Sequence, residues 1–117
     1  MQLTVRVDKH FPNPDAARVF EGRARFALTR LAPALDTVSV FVWVETLRDG
    51  GRAGCRVAAT FHNGRTLHIY ACESDPRTSL DKALDRFRRA AHRMMNRDRV
   101  PERRGPRSVP DPARYAV

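Results

Sequence analysis

Apolar residues recur at every second position from Leu3 through Val5 to Val7, with Thr4 and Arg6 between them, and this period of two predicts a short strand over 3–7. Asn13-Pro14-Asp15 follows, a helix start in which Asn13 is the expected N-cap and Pro14 the first helical position. The period then changes. Ala17, Phe20, Ala24, Ala27, Leu28 and Leu31 recur at spacings of three and four, which predicts a helix to about residue 32, ended by Pro33. Gly22 weakens that helix by about 1 kcal/mol relative to alanine. Residues 37–46, TVSVFVWVET, return to alternation, with Val38, Val40, Val42 and Val44 on one face of a strand. Asp49-Gly50-Gly51 reads as a turn, and 55–61 and 66–72 as two further strands. Asp75-Pro76 repeats the capped helix start, and a second helix is expected over 76–98, with Leu80, Ala83, Leu84, Phe87, Ala91 and Met94 as its buried stripe. From Arg99 on, Arg- and Pro-rich sequence without periodicity reads as a disordered tail, so the expected division is a domain over 1–98 and a tail over 99–117.

The parity of the two strands around Asn63-Gly64 sets their connection. Cys55, Val57, Ala59 and Phe61 form one apolar set and Leu67, Ile69 and Ala71 the other, all at odd positions. Bringing both to one face requires an odd loop, and His62-Asn63-Gly64 with a left-handed Gly64 is the natural one. In that register Cys72 faces away from Cys55, so a disulfide is not expected.

The predicted order is β-α-β-β-β-α, an α+β fold. A strand-helix-strand unit makes the first two strands parallel, and two hairpins add antiparallel neighbours. Each helix carries one apolar stripe, so both are expected on one face of a four-stranded mixed sheet. The other face would carry Thr4, Arg6, Phe41, Trp43, Arg56, Thr60, His62, His68 and Tyr70.

Composition narrows the function. The chain has 117 residues, room for one domain, and its 42% apolar content is that of a globular protein. No apolar run is long enough to span a bilayer, and the opening MQLTVRVDKH lacks the features of a secretory signal, so a cytoplasmic location with reduced thiols is expected. Neither a C-x-x-C pair nor a His spacing suited to zinc occurs, nor a phosphate-binding glycine loop or nucleophile elbow. Neither an enzyme, a metal nor a cofactor is expected. Asp81 and Asp85 read as helix-surface charges near arginines rather than as a catalytic carboxylate pair.

Charge carries the positive signal. There are 22 Lys+Arg against 13 Asp+Glu, and only Lys9 and Lys82 are lysines. On the second helix Lys82, Arg86, Arg89, Arg93 and Arg97 fall within roughly 80° of one another, forming a ridge about 22 Å long that is directed away from the apolar stripe. Asp81 and Asp85 are too few to neutralise it. Arg23, Arg25 and Arg30 of the first helix add to the excess. Like charges at this spacing repel, so a sequence that keeps them points to a polyanionic partner, and arginine's planar fork suits phosphate. A nucleic acid is preferred to an anionic membrane, because the helix's apolar face is needed for the core. A second use of the fold is a general RNA-binding or RNA-chaperone module working through Phe41, Trp43 and Tyr70 on the open sheet face, although cross-strand packing is the commoner role of such residues.

Five segments together resemble a known family: the opening MQLTVRV, the long capped helix, VSVFVWVETLRDGG, CRVAATFHNGRTLHIYACESD and DPRTSLDKALDRFRRAAHR. They are similar to the ribosome hibernation-promoting factors, also called ribosome-associated inhibitor or sigma-54 modulation proteins. Arg77-Thr78-Ser79-Leu80 stands where that family usually carries Tyr-Ala-Ala-Ile, and arginines replace most of its lysines. The resemblance implies a fold similar to a double-stranded-RNA-binding domain. It implies binding to rRNA of the small (30S) subunit and the 70S ribosome, in the mRNA and tRNA channel, inhibiting translation or preserving idle ribosomes under stress. The family's basic positions match Lys82, Arg86, Arg89 and Arg93, with Arg23, Arg25 and Arg30 on the first helix. Only the Arg/Pro-rich segment follows the resembling region, so the short form, a monomer off the ribosome acting by direct occlusion, is expected.

Overall fold

The computed structural model describes residues 1–9, 11, 13, 15–47 and 50–99. Pro14, the 48–49 connection and the expected tail beyond residue 99 lie outside them. The elements run β1 (Gln2–Val7), α1 (Ala16–Ala27), a 3-10 turn (Ala32–Ala34), β2 (Leu35–Leu47), β3 (Gly50–Phe61), β4 (Thr66–Glu73) and α2 (Pro76–Arg99). The sheet order is β1-β2-β3-β4, with β1 parallel to β2 and the other neighbours antiparallel. This is the predicted β-α-β-β-β-α arrangement.

Both helices cover one face of the sheet. Phe20, Ala24 and Leu28 from the first helical segment and Leu80, Leu84, Phe87 and Ala91 from α2 meet Val38, Val40, Val42, Cys55, Val57 and Phe61 in a single core. Each fully buried valine, leucine or phenylalanine among them stabilises the fold by about 1.5–3 kcal/mol relative to exposure. At its centre Phe61 and Phe87 stack nearly parallel, ring centroids 6.2 Å apart. Burial of Cys55 pushes its thiol up to about 12, whereas Cys72 is exposed, and both are free.

The hairpin between β3 and β4 has the predicted form. Phe61 N–H donates to Arg65 O, Gly64 N–H donates to Phe61 O, and Gly64 sits at φ +87°. Cys55 pairs with Ala71 and Cys72 with Gly54, so the two thiols face opposite sides of the sheet.

Several boundaries differ from the sequence reading. The first helix begins at Ala16, because Asn13 makes an Asx turn instead of a cap: its Oδ1 accepts Asp15 N–H at 2.9 Å and its carbonyl accepts Ala16 N–H. The same helix stops at Ala27, and from there the chain tightens to i→i+3 bonds, Leu31 N–H to Leu28 O and Ala34 N–H to Leu31 O. A 3-10 path keeps Leu28 and Leu31 on the buried side, so the apolar period continued past the true α-helical end. Gly50 and Gly51 are not turn residues. They already pair with Leu47 and Thr46 in the β2–β3 ladder, with Gly50 at φ +130°.

Candidate nucleic-acid interface

The second helix is anchored so that one flank must face solvent. Asp75 caps it: Oδ1 accepts Thr78 N–H at 2.9 Å and Oδ2 accepts the Thr78 hydroxyl at 2.8 Å. These bonds hold the Asp75 carboxyl below the usual carboxylate range. One turn in, the fully buried Ser79 hydroxyl reaches Ala53 O at 2.8 Å and Asp75 O at 3.0 Å, tying the helix start to β3. Ser79, in the segment Arg77-Thr78-Ser79-Leu80, serves as a buried fastening.

With the helix pinned at that rotation, the residues picked out as one basic set divide into two strips and an outlier. Lys82, Arg86, Arg93 and Arg97 are exposed along the flank above the β4 edge, where Arg86 Nη1 donates to Tyr70 O at 2.9 Å. None of these four has a carboxylate partner among the described residues. The bond from Arg86 goes to a neutral carbonyl, so its charge is retained. Helical arithmetic put five cations on one ridge, and four of them are uncompensated; the fifth, Arg89, is paired with Asp85.

The second strip lies between the helices. Arg23 forms a bidentate pair with Asp81 across the gap, at 3.1 and 2.6 Å. Arg30 lines a concavity of about 580 Å³ together with Arg88, Arg89 and His92. Asp85 accepts from both Arg89 and Arg88, and these bonds hold its carboxyl below the ordinary range. Asp81 and Asp85 are therefore ion-pair partners, as read from the sequence, but Asp81 serves the other helix instead of its own. Arg89 stands at the junction of the two strips. Arg25 belongs to neither: it pairs with Glu21 at 3.1 Å, about 200° round α1 from Arg23.

Sequence reasoning missed the apolar contribution to the cleft. Phe26 is 85% and Val19 57% exposed, and both line a second concavity of about 690 Å³ beside the first. Phe26 lies two residues beyond the buried Ala24, hence about 200° off the stripe, and that phase offset was the available signal. Arg88, also omitted, lines both concavities. Among the described residues no group of His, Cys, Asp or Glu is placed to hold a metal, and no helix is long and apolar enough to cross a membrane.

No protein-family model matches the chain, and no curated protein matches it in sequence. Solved structures do. A ribosomal subunit interface protein from Coxiella burnetii superposes with a TM-score of 0.63 at 11% identity, covering 82% of this chain and 99% of its own. The Protein Y N-terminal domain from Thermus thermophilus gives 0.57 at 20% identity, over 80% of this chain and 99% of that domain. At these identities the likeness is one of fold: the chain has the β-α-β-β-β-α architecture of these two proteins.

Proposed function

We infer that the protein is a ribosome-associated, non-enzymatic factor that binds small-subunit rRNA in the mRNA and tRNA channel, occluding it and keeping idle ribosomes inactive. The observation that carries this reading is the strip Lys82, Arg86, Arg93 and Arg97, four exposed cations without carboxylate partners among the described residues. It stands on a fold shared with a protein described as a ribosomal subunit interface protein. Arginine forks suit the phosphates of structured RNA, which is recognised chiefly through its shape, phosphates and 2′-hydroxyls. In this reading the cleft arginines Arg23, Arg30 and Arg89 supply secondary contacts.

Co-sedimentation of the full chain with ribosomes at two salt concentrations tests the reading. Six phosphate contacts predict an affinity falling by about 10³ between 50 and 200 mM salt. Reversal of Arg86, Arg89 and Arg93 to glutamate is expected to abolish association while the protein stays folded. Protein that remains at the top of a low-salt gradient, or a triple variant that still sediments with ribosomes, overturns it.

A further inference from the structure

The sheet face opposite the helices carries a second, differently built surface. Strand register sets Arg6, Phe41, Arg56 and Tyr70 in one row across all four strands. Trp43 follows Phe41 on the same face of β2. Its ring stacks on Phe41, centroids 5.8 Å apart and planes at 24°, and meets Tyr70 edge-on at 6.4 Å. Gly54 is the reason that Trp43 can lie flat. A Cβ there would sit 2.9 Å from Trp43 Cη2 and closer still to Cζ2 and Cε2. The three rings form a continuous aromatic platform whose outer member, Tyr70, is 58% exposed.

Cations frame that platform. The guanidinium carbons of Arg6 and Arg56 each lie 5.8 Å from the Phe41 ring centroid, on neighbouring strands to either side. Two strand spacings put these arginines about 10 Å apart. Neither has a carboxylate partner among the described residues, and Glu45, an acidic residue of the paired strands on this face, is opposite Arg52. The adjoining row, Thr4, Ser39, Ala58 and His68, is shorter, so the platform borders a concavity of about 540 Å³.

We propose that this face is a binding site for single-stranded nucleic acid, with bases stacked on Tyr70 and Trp43 and the backbone phosphates held by Arg6 and Arg56. Charge complementarity selects a polyanion, and the aromatic platform selects one whose π-faces are free. A duplex hides those faces within its own stack; a single strand offers them. An acidic peptide would satisfy the arginines and leave the rings without planar partners. The site is separate from the α2 strip, and it stands or falls independently of the ribosomal reading.

Trp43 is the only tryptophan in the chain, which makes it a built-in reporter. The full-length protein is titrated with an eight-nucleotide oligouridylate at low salt while Trp43 fluorescence is followed. Saturable quenching is expected, with affinity lowered about tenfold by Tyr70→Ala or by Arg56→Ala. It should be retained by Tyr70→Phe and by Arg93→Ala, which lies on the other surface. Absence of quenching overturns the proposal, and so does an unchanged affinity in Tyr70→Ala. Equal quenching by an RNA duplex of the same length, or by poly-glutamate, also overturns it, because charge alone would then account for binding.

Discussion

Arg86 on α2 donates from Nη1 to the backbone carbonyl of Tyr70 at 2.9 Å, and this one bond joins the basic strip to the edge strand of the sheet. Tyr70 itself lies on the open face, so its backbone serves one surface and its ring the other. The bond also fixes where the Arg86 charge stands, since a planar guanidinium held at one end keeps its remaining donors directed outward.

Splitting the basic residues into strips predicts unequal effects. Alanine at Lys82 and Arg93 together should lower the slope of log affinity against log salt by about 1.4–1.8, the share of two phosphate contacts. Alanine at Arg25, which is paired with Glu21 away from both strips, should leave that slope unchanged. Ribosome binding measured across a salt series separates the two cases.

Ser79→Ala removes the buried hydroxyl that bonds Ala53 O and Asp75 O. A loss of about 0.5–1.5 kcal/mol in unfolding free energy is expected from denaturant titration. A change within experimental error would mean that another group takes over the carbonyl.

The Asp75 cap predicts a pH dependence. Its folded carboxyl titrates below the unfolded value, so its stabilising contribution is complete above the ordinary carboxylate range and is lost as pH falls through the lowered folded value. Asp75→Asn keeps an acceptor that does not titrate. Melting temperatures measured from neutral to acid pH should therefore fall less steeply in the variant than in the parent.

Gly54→Ala forces Trp43 off the sheet, because the added methyl would overlap its ring. Overpacking of this kind costs about 1–3 kcal/mol. Trp43 emission should shift to longer wavelength as the indole moves into water. An unshifted spectrum with unchanged stability would contradict the flat packing of Trp43 on Gly54.

The two thiols should differ in reactivity. Native protein is expected to react with a thiol reagent at exposed Cys72 alone, since buried Cys55 remains protonated up to about 12. A second equivalent should react only on unfolding.

Local sequence determined most of the fold. Alternation in 37–46 and parity around Asn63-Gly64 set strand identity, facing and hairpin register, because side chains on a strand change face with every residue. The stripe from Leu80 to Met94 set the buried side of α2 and hence the existence of an exposed basic flank. Where α1 ended was not legible, since a 3-10 path preserves an apolar period almost as well as an α-helix does.

Packing between elements settles which charges remain free and which residues share a surface. Helical spacing put Asp81 near its own helix's arginines, but packing of α1 beside α2 brought Arg23 to it first. The same packing left Phe26 in the cleft and turned Arg25 away. Sequence likewise placed Arg6, Phe41, Arg56 and Tyr70 on one face, while strand register across the sheet set them in a single row. Periodicity is a property of one element and is written in its own residues. Compensation of charge and assembly of a surface depend on distances between elements, and those exist only once the helices have packed onto the sheet.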